Sequence, residues 1–272
     1  MSDDRFEFRF LGCGSSGGVP RIGNDWGACD PTNPKNRRLR CSALVQRWRN
    51  KHAPTSVLID TGPDLREQLL AAKVGALNGI LYTHEHADHT HGIDDLRVLA
   101  YRMKSRIQVW ADEPTKKSLV ERFDYCFETP PGSNYPAILQ AHDVVIGEAI
   151  QVEGSSGPIR AVPMEQAHGR IASIGYRFGN LAYSNDTAGF TDETVAALQG
   201  LDIWIVDALR YIEHPAHFTV KQALSWIERI KPKRAILTHM HVDLDYETLR
   251  RELPDHVEPA YDGMVIPFDG GS

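Results

Sequence analysis

The 272-residue chain carries 30 basic and 36 acidic side chains, a formal net charge of -6 that disfavours nonspecific nucleic-acid binding through its overall field. With 42% hydrophobic and 24% charged residues it has the composition of a globular protein with length for a substantial core. No apolar run reaches bilayer length, and the opening Met-Ser-Asp-Asp-Arg lacks the apolar centre of a signal peptide, so a cytoplasmic protein with no membrane partner is expected.

Phe6 to Leu11 alternates aromatic and charged residues and reads as a strand running into Gly12-Cys13-Gly14-Ser15-Ser16-Gly17-Gly18-Val19-Pro20. No Gly-Lys-Ser/Thr and no helical pattern follow, so this is a tight loop bordering the active-site face rather than a nucleotide phosphate loop. An irregular stretch leads to the basic cluster Lys35-Asn36-Arg37-Arg38-Leu39-Arg40, which reads as solvated surface or as an attractor for a phosphorylated substrate. Strands are predicted at Cys41 to Trp48 and Ser56 to Asp60, and Leu65, Leu69, Leu70 and Val74 then recur at helical spacing behind Pro63 and Asp64. Cys13, Cys29, Cys41 and Cys126 form no Cys-x-x-Cys pair, which argues against a disulfide framework; Cys29 and Cys41 remain candidates for a thiolate metal site.

The buried run Gly79 to Tyr82 delivers the densest chemistry of the chain, His84-Glu85-His86-Ala87-Asp88-His89-Thr90-His91-Gly92. Imidazole nitrogen and carboxylate oxygen suit borderline metals such as zinc. In extended backbone His84 and His86 share a face and can grip one ion; if a helix follows, Asp88 and His89 turn toward a second. The spacing therefore points to two metals.

Farther along, Leu96, Leu99 and Ala100 mark a helix, Ile107 to Trp110 a strand and Pro114 to Tyr125 a helix, while Thr129 to Pro136 is a loop suited to a pocket wall or lid. Strands are expected at Ala149 to Val152, Pro158 to Val162, Ile171 to Phe178 and Leu181 to Ser184, the last two joined by a hairpin turn at Gly179-Asn180. A helix near Asp192 to Leu198, a strand at Ile203 to Val206, a helix from Thr219 to Ile230 and a buried strand Ala235 to Thr238 complete the pattern. The strand–helix–strand segments of the two halves echo one another, consistent with two sheet layers whose shared edge gathers the ligands.

The ordered set His84-x-His86-x-Asp88-His89, His168, Asp186 in Ser-Asn-Asp-Thr, and His239 after a buried strand resembles the metallo-β-lactamase fold of binuclear hydrolases, over nearly the full chain. Within that superfamily, the Gly12 to Pro20 opening looks most like the PhnP-type phosphodiesterases of phosphonate degradation, with the tRNA 3′-processing endonucleases more distant. The resemblance implies an α/β fold, a four-layer αββα sandwich forming one domain over 1–272. It further implies that His84, His86 and His168 hold one ion, Asp88, His89 and His239 the other, and that Asp186 bridges them, the metals being Zn2+ or Mn2+. Members of this group often hold a structural zinc in a cysteine-rich loop after the first strand; here Asn24 to Cys29 stands in that place, and no structural zinc is expected.

Two divalent ions about 3.5–4 Å apart can acidify a bridging water and stabilise charge on a phosphoryl oxygen. Asp88 is expected to orient the resulting hydroxide as well as to ligate. Departure of an alkoxide needs a proton, for which His217 is the preferred donor and His214 the second. His91 and His241 are expected to pack behind the ligands. The leading function is hydrolysis of a small or cyclic phosphodiester, a cyclic nucleotide or cyclic ribose phosphate, with that small substrate as partner, nucleic acid disfavoured and a homodimer left open. Thioester or lactone hydrolysis on the same core, and a non-catalytic metal-dependent carrier, are the alternatives.

Overall fold

The computed structural model describes residues 4–271. The chain opens with β1 (Asp4–Gly12), β2 (Ser42–Arg49) and β3 (Thr55–Ile59), then α1 (Leu65–Ala71), β4 (Gly79–Leu81), α2 (Ala87–Thr90), α3 (Leu96–Met103), β5 (Ile107–Ala111), α4 (Glu113–Phe127) and β6 (Leu139–Asp143). The second half runs β7 (Ile150–Val152), β8 (Ile159–His168), β9 (Ile171–Phe178), β10 (Leu181–Ser184), β11 (Gly189–Phe190), α5 (Asp192–Ala197), β12 (Ile203–Asp207), α6 (Val220–Ile230), β13 (Arg234–Thr238), α7 (Tyr246–Glu252), β14 (Val257–Pro259) and β15 (Val265–Phe268).

One sheet has the order β15-β1-β2-β3-β4-β5-β6; the other runs β11-β8-β9-β10-β12-β13-β14, with β7 added alongside β8. Their inner faces meet in an apolar core of Phe8, Phe10, Val45, Val57, Tyr176, Phe178 and Ile205, while Leu65, Leu96 and Leu119 of the helices pack on the outer face of the first sheet. This is the αββα sandwich. In the first sheet β3, β4, β5 and β6 are parallel, and in the second β10, β12, β13 and β14 are parallel. Ligand sites in such sheets form beyond the carboxyl ends of parallel strands, where loops leave without obstructing one another. The carboxyl end of β4 meets β9 of the second sheet: the Ile174 amide donates to the Thr83 carbonyl at 2.8 Å and the Tyr176 hydroxyl to the Tyr82 carbonyl at 2.6 Å.

Several elements differ from the sequence reading. The strand expected to end at Val162 continues to His168, because Pro163, which has no amide hydrogen, sits between the β7 contacts at Ile159–Ala161 and the β11 contacts at Gln166–Ala167, where no donor is demanded. β6 and the C-terminal α7, β14 and β15 carry weak patterns; α7 rests on its cap, the Asp245 carboxylate accepting from the Thr248 amide at 2.9 Å.

The basic cluster is not uniformly solvated. Arg38 is buried, and its guanidinium donates to the Leu244 carbonyl at 2.7 Å, the His241 carbonyl at 3.3 Å and Asn36 Oδ1 at 3.3 Å, beside the Cys29 thiol. One planar fork of donors thus ties the Gly12–Arg40 loop to the segment following β13. Arg40 is instead paired with Asp64 at 3.0 Å. Replacing Arg38 with methionine keeps apolar volume but strands these carbonyls, and urea denaturation should show a loss of about 3 kcal/mol; an unchanged midpoint would remove the cross-link from the account.

Candidate metal centre

The His84 motif is held from below by the turn after β3. The Thr61 amide donates to the His89 carbonyl at 2.7 Å and the Gly92 amide to the Thr61 carbonyl at 2.8 Å. A Cβ on Gly62 would lie 2.3 Å from the Asp88 carbonyl oxygen, so the turn reaches the motif only because that residue is glycine. Asp60, Asp186 and His239 have φ values of +61°, +52° and +60°. Left-handed backbone at non-glycine residues is costly, and its recurrence just beyond β3, β10 and β13 marks where the fold spends stability to aim side chains inward.

Those side chains converge. His84 Nε2 faces His86 Nδ1 at 2.9 Å, and His168 Nε2 lies 3.3 Å from the same His86 atom. Asp88 Oδ2 and Asp186 Oδ2 lie 3.4 and 3.3 Å from His89 Nε2, and His239 Nε2 lies 3.4 Å from Asp186 Oδ1. The donor atoms of His84, His86 and His168 fall within 4.8 Å of one another, as do those of Asp88, His89 and His239. Asp186 sits between these triples, sharing a group with His84 and His89. Among the described residues no cysteine joins such a group.

A divalent ion fits this arrangement. His89 Nε2, both ring nitrogens of His239 and Asp186 Oδ2 are buried with no hydrogen-bond partner among the described residues. Buried polar atoms are rarely left so, and an imidazole–carboxylate set is suited to zinc or manganese. The opposite ring edges are occupied: His84 Nδ1 by Thr83 Oγ1 at 3.0 Å, His168 Nδ1 by the Ala216 carbonyl at 2.9 Å, and His89 Nδ1 by Asp60 Oδ2 at 2.7 Å. Such outer bonds fix the ring and leave Nε2 free for a metal.

Burial pushes His84 well below its ordinary value, lowers His168, and brings His239 down to about 3 despite the Asp186 carboxylate. These imidazoles are therefore neutral, the form that ligates. Burial acts on His89 in the same direction, but Asp186, Asp88 and Asp60 outweigh it and raise that residue well above its usual range. Burial would raise Asp186, yet the His239 and His89 imidazoles carry it well below the carboxylate range.

His217 and His214, the two expected donors, are placed differently. His217 Nδ1 meets Asp207 Oδ2 at 2.7 Å, its Nε2 lies 3.9 Å from Asp186 Oδ1, and its ring stacks on His239 at 4.6 Å. His214 Nδ1 instead accepts from the Ala216 amide at 3.2 Å, bracing its own loop. His241 meets Asp243 at 2.9 Å, away from the cluster, and His91 is exposed rather than packed behind it.

Two carboxylates escaped the sequence reading. Asp60 accepts from the Thr83 amide at 2.8 Å and the Thr83 hydroxyl at 2.7 Å as well as facing His89; Asp207 accepts from the Thr187 amide at 2.9 Å and holds His217. The available signal was an acid closing a wholly apolar strand, Val-Leu-Ile-Asp and Trp-Ile-Val-Asp, where a carboxylate is buried and needs partners.

Residues 55–240 match the model of the beta-lactamase superfamily domain. The crystal structure of a new diphosphatase from the PhnP family is 36% identical to this chain, covers 98% of both chains and superposes with a TM-score of 0.86. Human tRNase Z, short form, at 18% identity, TM-score 0.63 and coverage of 96% and 98%, shares the fold. An octanoyltransferase of Porphyromonas gingivalis (strain ATCC BAA-308 / W83) is 32% identical over 262 residues, 95% of this chain and 51% of the relative, so the chain spans about half the length of that curated relative. The chain belongs to the beta-lactamase superfamily domain family and has a metallo-β-lactamase fold similar to that of the PhnP family.

Proposed function

We propose that this protein is a binuclear, metal-dependent phosphodiesterase acting on small or cyclic phosphodiesters, with two Zn2+ or Mn2+ ions. The observation that carries this reading is the pair of donor triples flanking Asp186, with the Asp207–His217 pair on the same cluster. The 36% identical relative, named a diphosphatase, supports phosphoryl chemistry.

His84, His86 and His168 would hold one ion and Asp88, His89 and His239 the other, with Asp186 between them. When bound, such ions supply Lewis acidity toward a phosphoryl oxygen and acidify water. Asp88, half-buried at the edge of the cluster, accepts a hydrogen bond from the attacking water and turns its lone pair toward phosphorus. His217 Nε2 hands a proton to the departing alkoxide, while Asp207 fixes the ring through Nδ1. Burial lowers the His217 pKa, but Asp207 overrides it and the net shift is upward, so the imidazolium persists toward neutral pH.

The test is a panel of diesters, acyl thioesters and lactones turned over by protein of measured metal content. Diester hydrolysis that disappears with chelator and returns with zinc or manganese is expected. Metal-replete protein that is inert toward every diester, or faster on thioesters, would overturn the proposal.

A further inference from the structure

A cavity of about 540 Å³ opens beside the candidate metal centre, lined by Glu85, His86, Ala87, His91, Arg122 and Phe123. It shares the His86 ring with the cluster, whose Nδ1 faces His84 and His168, so a group attached to a phosphate at the centre can enter it directly. Its volume suits a drug-sized or nucleoside-sized molecule.

The walls are built rather than incidental. α4 departs from helical geometry at Phe123, with φ −136° and ψ 41°, and the ring stands edge-on to His91 with centroids 5.6 Å apart. Arg122 Nη1 donates to the Glu85 carbonyl at 2.8 Å, tethering α4 to the backbone of the His84 motif. Among the described residues Arg122 pairs with no carboxylate, whereas Arg97 is engaged by Asp94. Ala87 and Phe123 make the wall largely apolar, and the Glu85 side chain sets a carboxylate in it.

We infer that this cavity receives the heterocyclic base of a nucleotide substrate, stacked on Phe123 and flanked by His91 and the Arg122 guanidinium. Aromatic rings and guanidinium planes both offer faces to a base, and stacking tolerates any base because each has a π-face. The Glu85 carboxylate accepts from an exocyclic amine or a ribose hydroxyl and repels a second phosphate. The inference rests on the phosphodiesterase reading and narrows it toward nucleotides.

Isothermal titration of zinc-loaded protein with AMP, ribose 5-phosphate, inorganic phosphate and pyrophosphate separates the possibilities. AMP and ribose 5-phosphate differ in the base alone. AMP is expected to bind roughly tenfold more tightly, the scale of one stacked base. Phe123→Leu, which keeps apolar volume against the core, and His91→Ala at an exposed position should each shrink that ratio while leaving ribose 5-phosphate binding unchanged. Equal affinities in the unmodified protein, or a ratio that survives both substitutions, would overturn the base site. Pyrophosphate binding above phosphate and lost in Arg122→Ala would also overturn it, in favour of a second-phosphate site. Loss of phosphate binding altogether would count against the phosphodiesterase reading as well, whereas phosphate binding with equal AMP and ribose 5-phosphate affinities refutes the base site alone.

Discussion

Substituting alanine for Asp186 should remove more than about 100-fold of the proposed metal-dependent diesterase rate, because even outer-shell partners of a metal site are worth ~10–100-fold and Asp186 lies inside the cluster. Its Oδ1 is 3.4 Å from His239 and its Oδ2 3.3 Å from His89, so one carboxylate serves both halves of the site. Its loss also removes the leading carboxylate that raises His89. Metal content by plasma mass spectrometry should fall together with activity while the circular dichroism of the sandwich is kept. An Asp186→Ala protein that retains two ions and near-normal turnover would refute the bridging role.

Replacing His217 with alanine should lower kcat by ~10²–10⁴-fold for diesters with alkoxide leaving groups, the range for a positioned general acid. A p-nitrophenolate leaving group departs without a proton, so its hydrolysis should be affected far less. The pH profile supplies a second reading. With His217 as the proposed proton donor the protonated imidazole would be the active form, and the Asp207 carboxylate, against the opposing effect of burial, raises its pKa; activity should therefore be lost as pH rises through that raised value. Asp207 is itself pushed up by burial to about 6, with the His217 imidazole opposing, so its hold on the proton weakens as pH falls through that range. Asp207→Asn removes the raising influence, and the high-pH limb of kcat should shift to lower pH. A limb that stays in place, or equal losses for alkoxide and p-nitrophenolate substrates in His217→Ala, would assign His217 another role, such as ligation beside His168 and Asp186, with which it shares a donor group.

The sequence made part of the inner cluster legible because its residues are chemically conspicuous: His84, His86, Asp88 and His89 crowd one turn and His239 closes a buried strand-like run, while His168, which lies beyond the strand end expected at Val162, and Asp186 were placed by the family resemblance. The alternation of strands and helices through β5 and again from β9 to β13 was legible too, and with it two sheet layers, whereas the αββα order came from the family resemblance. Asp60 and Asp207 were not, because an isolated acid after an apolar run also reads as the first polar residue of a turn; only burial shows that it needs a partner. Arg38 was misread for the converse reason. In a run of basic residues nothing local distinguishes the one that turns inward, and its partners at His241 and Leu244 lie more than 200 positions away. The full length of β8 was hidden by Pro163, whose tolerance depends on which neighbours flank it.

The most direct test titrates metal-free protein with Zn2+ or Mn2+ while following hydrolysis of bis(p-nitrophenyl) phosphate. The account predicts that the rate climbs to a plateau at two equivalents of metal per chain; a plateau at one equivalent, or no turnover with both sites filled, would contradict it.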